Sequence, residues 1–253
     1  MIKSKKCLIV GGGGSIGSEL VHQLYSQNKV MVLDLDETRM FDLVEELGIE
    51  GMAGDIADKE TVDRVFKKFQ PDIVFHCAAR KTVTPGESNP IEHINTNIIG
   101  TYNLIMACKE YGSQMVNIST DKVLGDSIMG ITKKLAEKMV KNAKFNSVRF
   151  GNVLGSRGSV IPLWQKQADE GKPLTITDFQ MTRFMMTIPQ AVKLIIQAAE
   201  MPQEGKIIIL DMGEPIRILD LAKEIIQRSG RDIGIKEIGI RPGESLTETL
   251  MTS

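Results

Sequence analysis

Five glycines and one aspartate near the N-terminus are spaced for anion chemistry. Gly11, Gly12, Gly13 and Gly14 follow the apolar run 7–10, and Gly17 stands three residues further on. The frame Gly11-x-x-Gly14-x-x-Gly17 lets a backbone turn sharply and approach a pyrophosphate. Ser15 and Ile16 then open a helix whose free N–H groups and positive dipole end face the anion. Asp34 ends the second apolar run, 20 residues after Gly14. A carboxylate there accepts the ribose hydroxyls of an adenosine and repels a 2′-phosphate. The residues that follow, Leu35-Asp36-Glu37, include no arginine, so the cofactor is read as NAD in preference to NADP. Gly54-Asp55-Ile56 ends the next strand-like piece, where Asp55 either bonds an adenine amino group or closes a turn. A tight turn with a helix-capping acid is the plain alternative for the whole set. The strand before it and the helix after it favour a dinucleotide.

A second constellation lies in mid-chain. Ser119-Thr120-Asp121-Lys122 closes another apolar run, and Met129 and Lys133 follow on one helix face. An acid and a potential base, adjacent at a sheet end, suit an elimination. One protonates a leaving hydroxyl; the other removes a proton made acidic by a neighbouring ketone. Lys122 needs a lowered pKa to act as that base, and burial near Lys133 is expected to provide it. An isolated Asp-Lys pair is otherwise a solvated turn. Met129 cannot titrate.

The elements that must hold these residues are legible as short apolar runs alternating with helical periods. Strands are expected at 7–10, 30–34, 73–76, 115–119 and 147–150. Helices are expected at 16–27, 37–47, 59–69, 91–111 and 129–142. Strands this short and this apolar belong to a parallel sheet covered on both faces. Their alternation with helices implies right-handed crossovers and an α/β, Rossmann-type doubly wound sheet. After about residue 152 glycines and prolines loosen the rhythm, and helices at 189–200 and 218–229 flank a strand at 207–210. Residues 1–151 are read as the dinucleotide-binding domain, joined by 188–211. Residues 152–187 and 212–253 are read as a small C-terminal substrate lobe.

These motifs resemble the extended short-chain dehydrogenases, and more narrowly the polysaccharide-biosynthesis nucleotide-sugar 4,6-dehydratases acting on UDP-N-acetylglucosamine. The resemblance runs nearly end to end. It rests on Gly11-GGGSIGSEL, Gly54-Asp-Ile, Ala78-Ala79-Arg-Lys81, Asn97-x-x-Gly100-Thr, Ser119-Thr-Asp-Lys122 and Met129-Gly-x-Thr-Lys133. It continues through Val148-Arg-Phe-Gly-Asn152-Val-Leu-Gly-Ser-Arg157, Met181-Thr-Arg183-Phe and Arg241-Pro-Gly-Glu244. The family normally carries a catalytic tyrosine four residues before the helix lysine. That position is Met129, a variant known in the long, membrane-anchored branch. Tyr25 has a lysine four residues on but lies on the first helix; Tyr102 and Tyr111 have none.

The resemblance implies a reaction. Thr120 would bond the sugar O4 as C4 is oxidised, Lys122 would take the C5 proton, and Asp121 would protonate the departing C6 hydroxyl. Hydride would return to C6. Lys133 would anchor the nicotinamide ribose, and Ala78, Ala79 and Asn97 would line the cofactor. Lys81, Asn152, Arg157, Arg183, Arg241 and Glu244 would hold the nucleotide sugar, cations suiting its diphosphate. A homo-oligomer is implied as well. A nucleotide-sugar epimerase and an inactive NAD-binding homologue are the competing readings. Beside its relatives the chain is expected to lack a membrane-anchored N-terminal region and part of the tail after Glu244.

Composition narrows the setting. With 31 basic and 32 acidic residues the net charge is -1, which gives no pull towards nucleic acid or anionic membrane. At 42% hydrophobic residues the chain is not disordered. Cys7, Cys77 and Cys108 are odd in number, widely spaced and without a CxxC, so neither a disulfide framework nor a metal site is expected. No apolar stretch approaches the ~18 residues of a membrane span, and the short run after Lys6 is no signal peptide. A cytoplasmic location is expected.

Overall fold

The structure, a computed structural model, describes residues 2–251. The chain begins β1 (Lys6–Val10), α1 (Ser15–Leu24), β2 (Lys29–Asp34), α2 (Glu37–Leu47), β3 (Glu50–Ala53), α3 (Lys59–Phe69) and β4 (Ile73–His76). It continues α4 (Val83–Ser88), α5 (Pro90–Ile94), α6 (Thr101–Tyr111), β5 (Gln114–Thr120), α7 (Ile128–Asn142) and β6 (Asn146–Phe150). The last third holds β7 (Asn152–Leu154), α8 (Val160–Asp169), β8 (Leu174–Ile176), β9 (Thr182–Arg183), β10 (Met185–Thr187) and α9 (Ile188–Ala199). It ends with β11 (Ile207–Ile209), β12 (Ile216–Arg217), α10 (Ile218–Ser229) and β13 (Ile235–Glu237).

Seven strands form one parallel sheet in the order β11-β6-β5-β4-β1-β2-β3. Strand alternation divides the apolar residues between its two faces. Cys7 and Ile9 of β1, with Val30 and Val32 of β2, pack against Leu20 and Val21 of α1 and Val192 and Ile195 of α9. Leu8 and Val10, with Met31 and Leu33, pack against Val62 and Phe66 of α3 and Leu104 and Cys108 of α6. A one-residue slip would exchange the two sets, so the register is strongly specified. Strand order reverses between β1 and β4, and a doubly wound sheet opens its crevice at such a point.

A separate small core holds the later segments together. Trp164 and Ala168 of α8 meet Leu174 and Ile176 of β8 and Ile218 and Ala222 of α10. The indole N–H of Trp164 donates to the carbonyl of Thr175 at 2.7 Å. Residues 188–209 lie with the main sheet instead: α9 covers its face and β11 pairs with β6.

The single helix expected at 91–111 is broken. Pro90 starts α5, residues Asn95–Gly100 form a π-helical turn, and α6 begins at Thr101. A single π turn inside a helix carries no residue signature of its own, so residues 91–111 read as one helix. The strands β7–β10, β12 and β13 have two or three residues each, too few to show alternation. Among the described residues no helix is long and apolar enough to cross a membrane.

Candidate active site

One cleft of about 1810 Å³ runs along the C-terminal ends of the central strands. Its floor is the turn between β1 and α1. Gly11 has φ +82°, a conformation that L side chains rarely adopt. A Cβ on Gly17 would stand 2.2 Å from the carbonyl oxygen of Gly11, so only glycine lets α1 approach that turn. No side chain caps α1, and Gly14 stands at its N-cap. The cradle therefore fits the pyrophosphate of a dinucleotide. Asp34 Oδ2 accepts from the Gly13 N–H at 2.7 Å and Oδ1 from the Asp36 N–H at 2.9 Å. The carboxylate is thus aimed by the backbone it faces. Ser15, Ile16, Asp55, Ile56, Ala78 and Ala79 line the same cleft.

Arg39 lines this end too, paired with Asp36 at 3.2 Å. The residues immediately beside Asp34 give no sign of it, since it lies five positions further on. One turn into α2 the helix brings the guanidinium back to the cleft wall.

The centre of the cleft holds Thr120, Asp121 and Lys122 at the end of β5 and in the 3-10 turn Asp121–Leu124. Asp121 is buried; its Oδ1 accepts from Thr120 Oγ1 at 2.9 Å and from Lys122 Nζ at 3.1 Å. Burial pushes the Asp121 carboxyl up, but the Lys122 charge and the hydrogen bonds around it bring it below its ordinary value. Lys122 Nζ also reaches Asn152 Oδ1 at 3.0 Å and Glu248 Oε1 at 3.0 Å.

The expectation of a lowered Lys122 pKa is corrected here. Burial does pull the ammonium down, yet Asp121 and Glu248 outweigh it and hold Lys122 above its usual value. Lys133 shows the opposite balance. Burial dominates and takes it from 10.5 to about 8, while its Nζ donates to the Ile118 carbonyl at 2.6 Å. Met129 is buried on the first turn of α7, below the same cleft.

Glu248 is the second residue that sequence reading missed. It comes from the C-terminal segment, 126 positions from Lys122, and no local spacing signals it. Burial raises its carboxyl to about 7, with Asp121 adding to the rise and Lys122 and Arg183 opposing it.

Several residues expected to touch ligands make other contacts. Asn97 does not line the cleft. Its amide accepts from the Arg80 N–H at 2.9 Å and donates to the Arg80 carbonyl at 3.0 Å and Thr132 Oγ1 at 3.0 Å. All its bonding groups serve the protein, so it is a strut between the β4–α4 loop and α7.

Arg183 lies at the cleft wall, but its guanidinium clasps the C-terminal segment. It donates to the carbonyls of Thr182, Leu246 and Ser245 and pairs with Glu248 at 3.2 Å. Arg157 reaches back to the glycine turn. Its guanidinium bonds the Gly13 carbonyl, and its own N–H donates to Ser15 Oγ at 3.0 Å. Lys81 Nζ donates to the Arg157 carbonyl at 2.8 Å, and burial followed by the Arg157 charge lowers its pKa. At the cleft mouth Arg241 is exposed and Glu244 half-buried, and the Arg241 N–H donates to Glu244 Oε2 at 3.3 Å. Among the described residues no cluster has the make-up of a metal site.

The model of a family described as polysaccharide biosynthesis protein matches residues 7–253. The chain belongs to that family. Within this polysaccharide-biosynthesis family it is 43% identical, over 99% of its length, to the capsular polysaccharide biosynthesis protein CapD of Staphylococcus aureus. It spans 45% of that relative's length, about half. It is 35% identical over its whole length to a Campylobacter jejuni protein named UDP-N-acetylglucosamine 4,6-dehydratase (inverting), of which it covers 79%. It is also 34% identical over its whole length to a protein of Rickettsia canadensis named UDP-glucose 4-epimerase, again covering 79%. The crystal structure of Pen from Bacillus thuringiensis superposes with a TM-score of 0.93 at 38% identity. That match covers 99% of this chain and 83% of the other. The chain is therefore related to nucleotide-sugar dehydratases and epimerases, on an extended short-chain dehydrogenase fold.

Proposed function

We propose that this chain is the catalytic unit of an NAD-dependent nucleotide-sugar 4,6-dehydratase acting on UDP-N-acetylglucosamine or a similar UDP-sugar. The observation that carries this reading is the buried Asp121 held between Thr120 Oγ1 and Lys122 Nζ. Interconverting C4 epimers needs hydride transfer at C4 and proton transfer at O4 only, for which the Lys122 ammonium beside the acid is surplus. Losing water across C5–C6 needs both an acid and a base beside the sugar.

A bound nicotinamide would supply the redox chemistry, taking hydride from C4 and returning it to C6. The glycine cradle, Asp34 and Lys133 would hold it, with Arg157 closing over the glycine turn. Thr120 would donate and accept at O4, passing the proton to Asp121 Oδ1. Asp121 would then give that proton to the C6 hydroxyl as it leaves. This route uses no group at position 129, which suits a buried methionine there. Lys81, Asn152, Arg241 and Glu244 would meet the nucleotide sugar.

Asp34 favours NAD, and Arg39 adds a cation to the same end of the cleft. Tyr102 and Met106 on α6, with Ile131 and Leu135 on α7, are exposed apolar residues at helical spacing. They suit burial against a second copy of this chain. The epimerase reading draws on the name of the Rickettsia relative. Incubating the purified chain with UDP-N-acetylglucosamine and NAD separates the two. A product lighter by one water supports the dehydratase; an unchanged mass with altered stereochemistry supports the epimerase.

A further inference from the structure

Glu248 has no part in the chemistry described so far, yet it sits at its centre. Its side chain is 6% exposed. Oε1 lies 3.0 Å from Lys122 Nζ and 3.2 Å from Arg183 Nε. Oε2 is buried without a donor, and so is Oδ2 of the adjoining Asp121. The charged groups facing Glu248 are Asp121 and Lys122 from the turn after β5 and Arg183 from β9. Arg149 of β6 fixes the segment two residues on, donating to the Leu250 carbonyl at 3.1 Å. Arg149 is itself held by Glu137 of α7 at 3.0 and 2.7 Å.

Lys122 is an ammonium between two carboxyls, and an ammonium cannot take a proton from carbon. We propose that Glu248 is the proton store of this site, relieving Lys122 of a proton so that the amine can act on the sugar and returning it afterwards. The proposal rests on the dehydratase reading above. It also makes Glu248 a positioning residue, acting through Lys122.

Once C4 is a ketone and Asp121 carries the O4 proton, an Nζ–H bond of Lys122 breaks and an Oε1–H bond of Glu248 forms. The free amine takes the C5 proton. The C5–H electron pair becomes the C5–C6 double bond, the C6–O bond breaks, and the Asp121 proton leaves with the hydroxyl as water. When the hydride from C4 returns to C6, Lys122 gives the proton back to C5 and Glu248 gives its own back to Lys122. The three side chains end as they began, and the O4 proton has left in the water. A carboxyl whose pKa lies near neutrality is matched to such an exchange.

The test compares wild type, Glu248→Gln and Glu248→Asp with UDP-N-acetylglucosamine and NAD in deuterated buffer. Incorporation of solvent deuterium at C5 and loss of water are followed from about pH 6 to about pH 8. The wild-type rate should rise with pH, inflecting near the Glu248 value of about 7. Glu248→Gln should slow C5 exchange by about 100-fold or more and lose the inflection, with NAD affinity by calorimetry unchanged. Glu248→Asp should recover part of the rate with a displaced inflection. A Glu248→Gln variant with wild-type exchange and the same inflection overturns the store. So does one that loses NAD binding, which would make Glu248 a structural clasp. A wild type that exchanges C5 but keeps its water defeats the dehydratase reading alone, and the store is still read from the variants. A wild type that does neither defeats both.

Discussion

Thr120 Oγ1 donates to Asp121 Oδ1 across 2.9 Å, which joins a cleft-lining hydroxyl to the buried acid beside it. Met129 cannot titrate, and this hydrogen bond offers a protonic route from the cleft to a buried carboxylate. Thr120→Val should therefore cut kcat/KM by about 100-fold or more, the scale of a lost general acid-base contact. Thr120→Ser should stay near wild type. Steady-state kinetics on both variants decide it, and a fully active Thr120→Val would remove Thr120 from the proton route.

Met129 should matter by its volume alone. It is 1% exposed, so Met129→Leu conserves the packing and should keep turnover within about twofold and stability within about 1.5 kcal/mol. Met129→Ala should cost about 2–4 kcal/mol by leaving a cavity. Denaturant unfolding reads the second and kinetics the first; a large rate loss in Met129→Leu would show that the sulfur takes part in the chemistry.

Arg157 should govern how long the cofactor stays. Its guanidinium on the Gly13 carbonyl and its N–H on Ser15 Oγ strap the loop after β7 across the glycine turn. Charge-assisted hydrogen bonds are worth roughly 1.5–3 kcal/mol. Arg157→Ala should accordingly speed cofactor dissociation by about tenfold or more, measured with NADH by dilution and nicotinamide fluorescence. An unchanged rate would place the strap elsewhere.

Lys133 should trade stability for function. Burial lowers its folded pKa to about 8, against 10.5 in the open chain. Above about pH 8 the folded state sheds a proton that the unfolded chain keeps, so this group makes stability rise with pH towards 10.5. Below about pH 8 the buried charge opposes folding in full. Lys133→Met should flatten that slope and raise the melting temperature near neutral pH, while weakening NAD binding. Thermal melts across that window, with calorimetry for NAD, measure both. A steeper slope in the variant would mean that Lys133 is not the titrating group.

The sheet and the cofactor cradle were legible because each depends on local sequence. The runs at β1, β2 and β4 are apolar on both faces, and Gly11, Gly14 and Gly17 sit between a strand and a helix. Thr120, Asp121 and Lys122 were legible as a cluster for the same reason. Their electrostatics were only half legible, because Asp121 is joined in holding the charge on Lys122 by Glu248, which the fold brings in from 126 positions away. Arg157 and Arg183 were recognisable as important cations, but their partners are backbone carbonyls, which carry no sequence signature. The π-helical turn that contains the buried Asn97 was hidden in the same way, since a single π turn inside a helix has no residue signature of its own.

The most direct measurement follows a label. UDP-N-acetylglucosamine carrying deuterium at C4 is incubated with the chain and NAD, and the product is examined by nuclear magnetic resonance and mass spectrometry. A 4-keto product that has lost one water and carries the deuterium on C6 is the expected result. Deuterium returned to C4 with all the water retained would make the chain an epimerase and contradict the role given to Asp121 and Lys122.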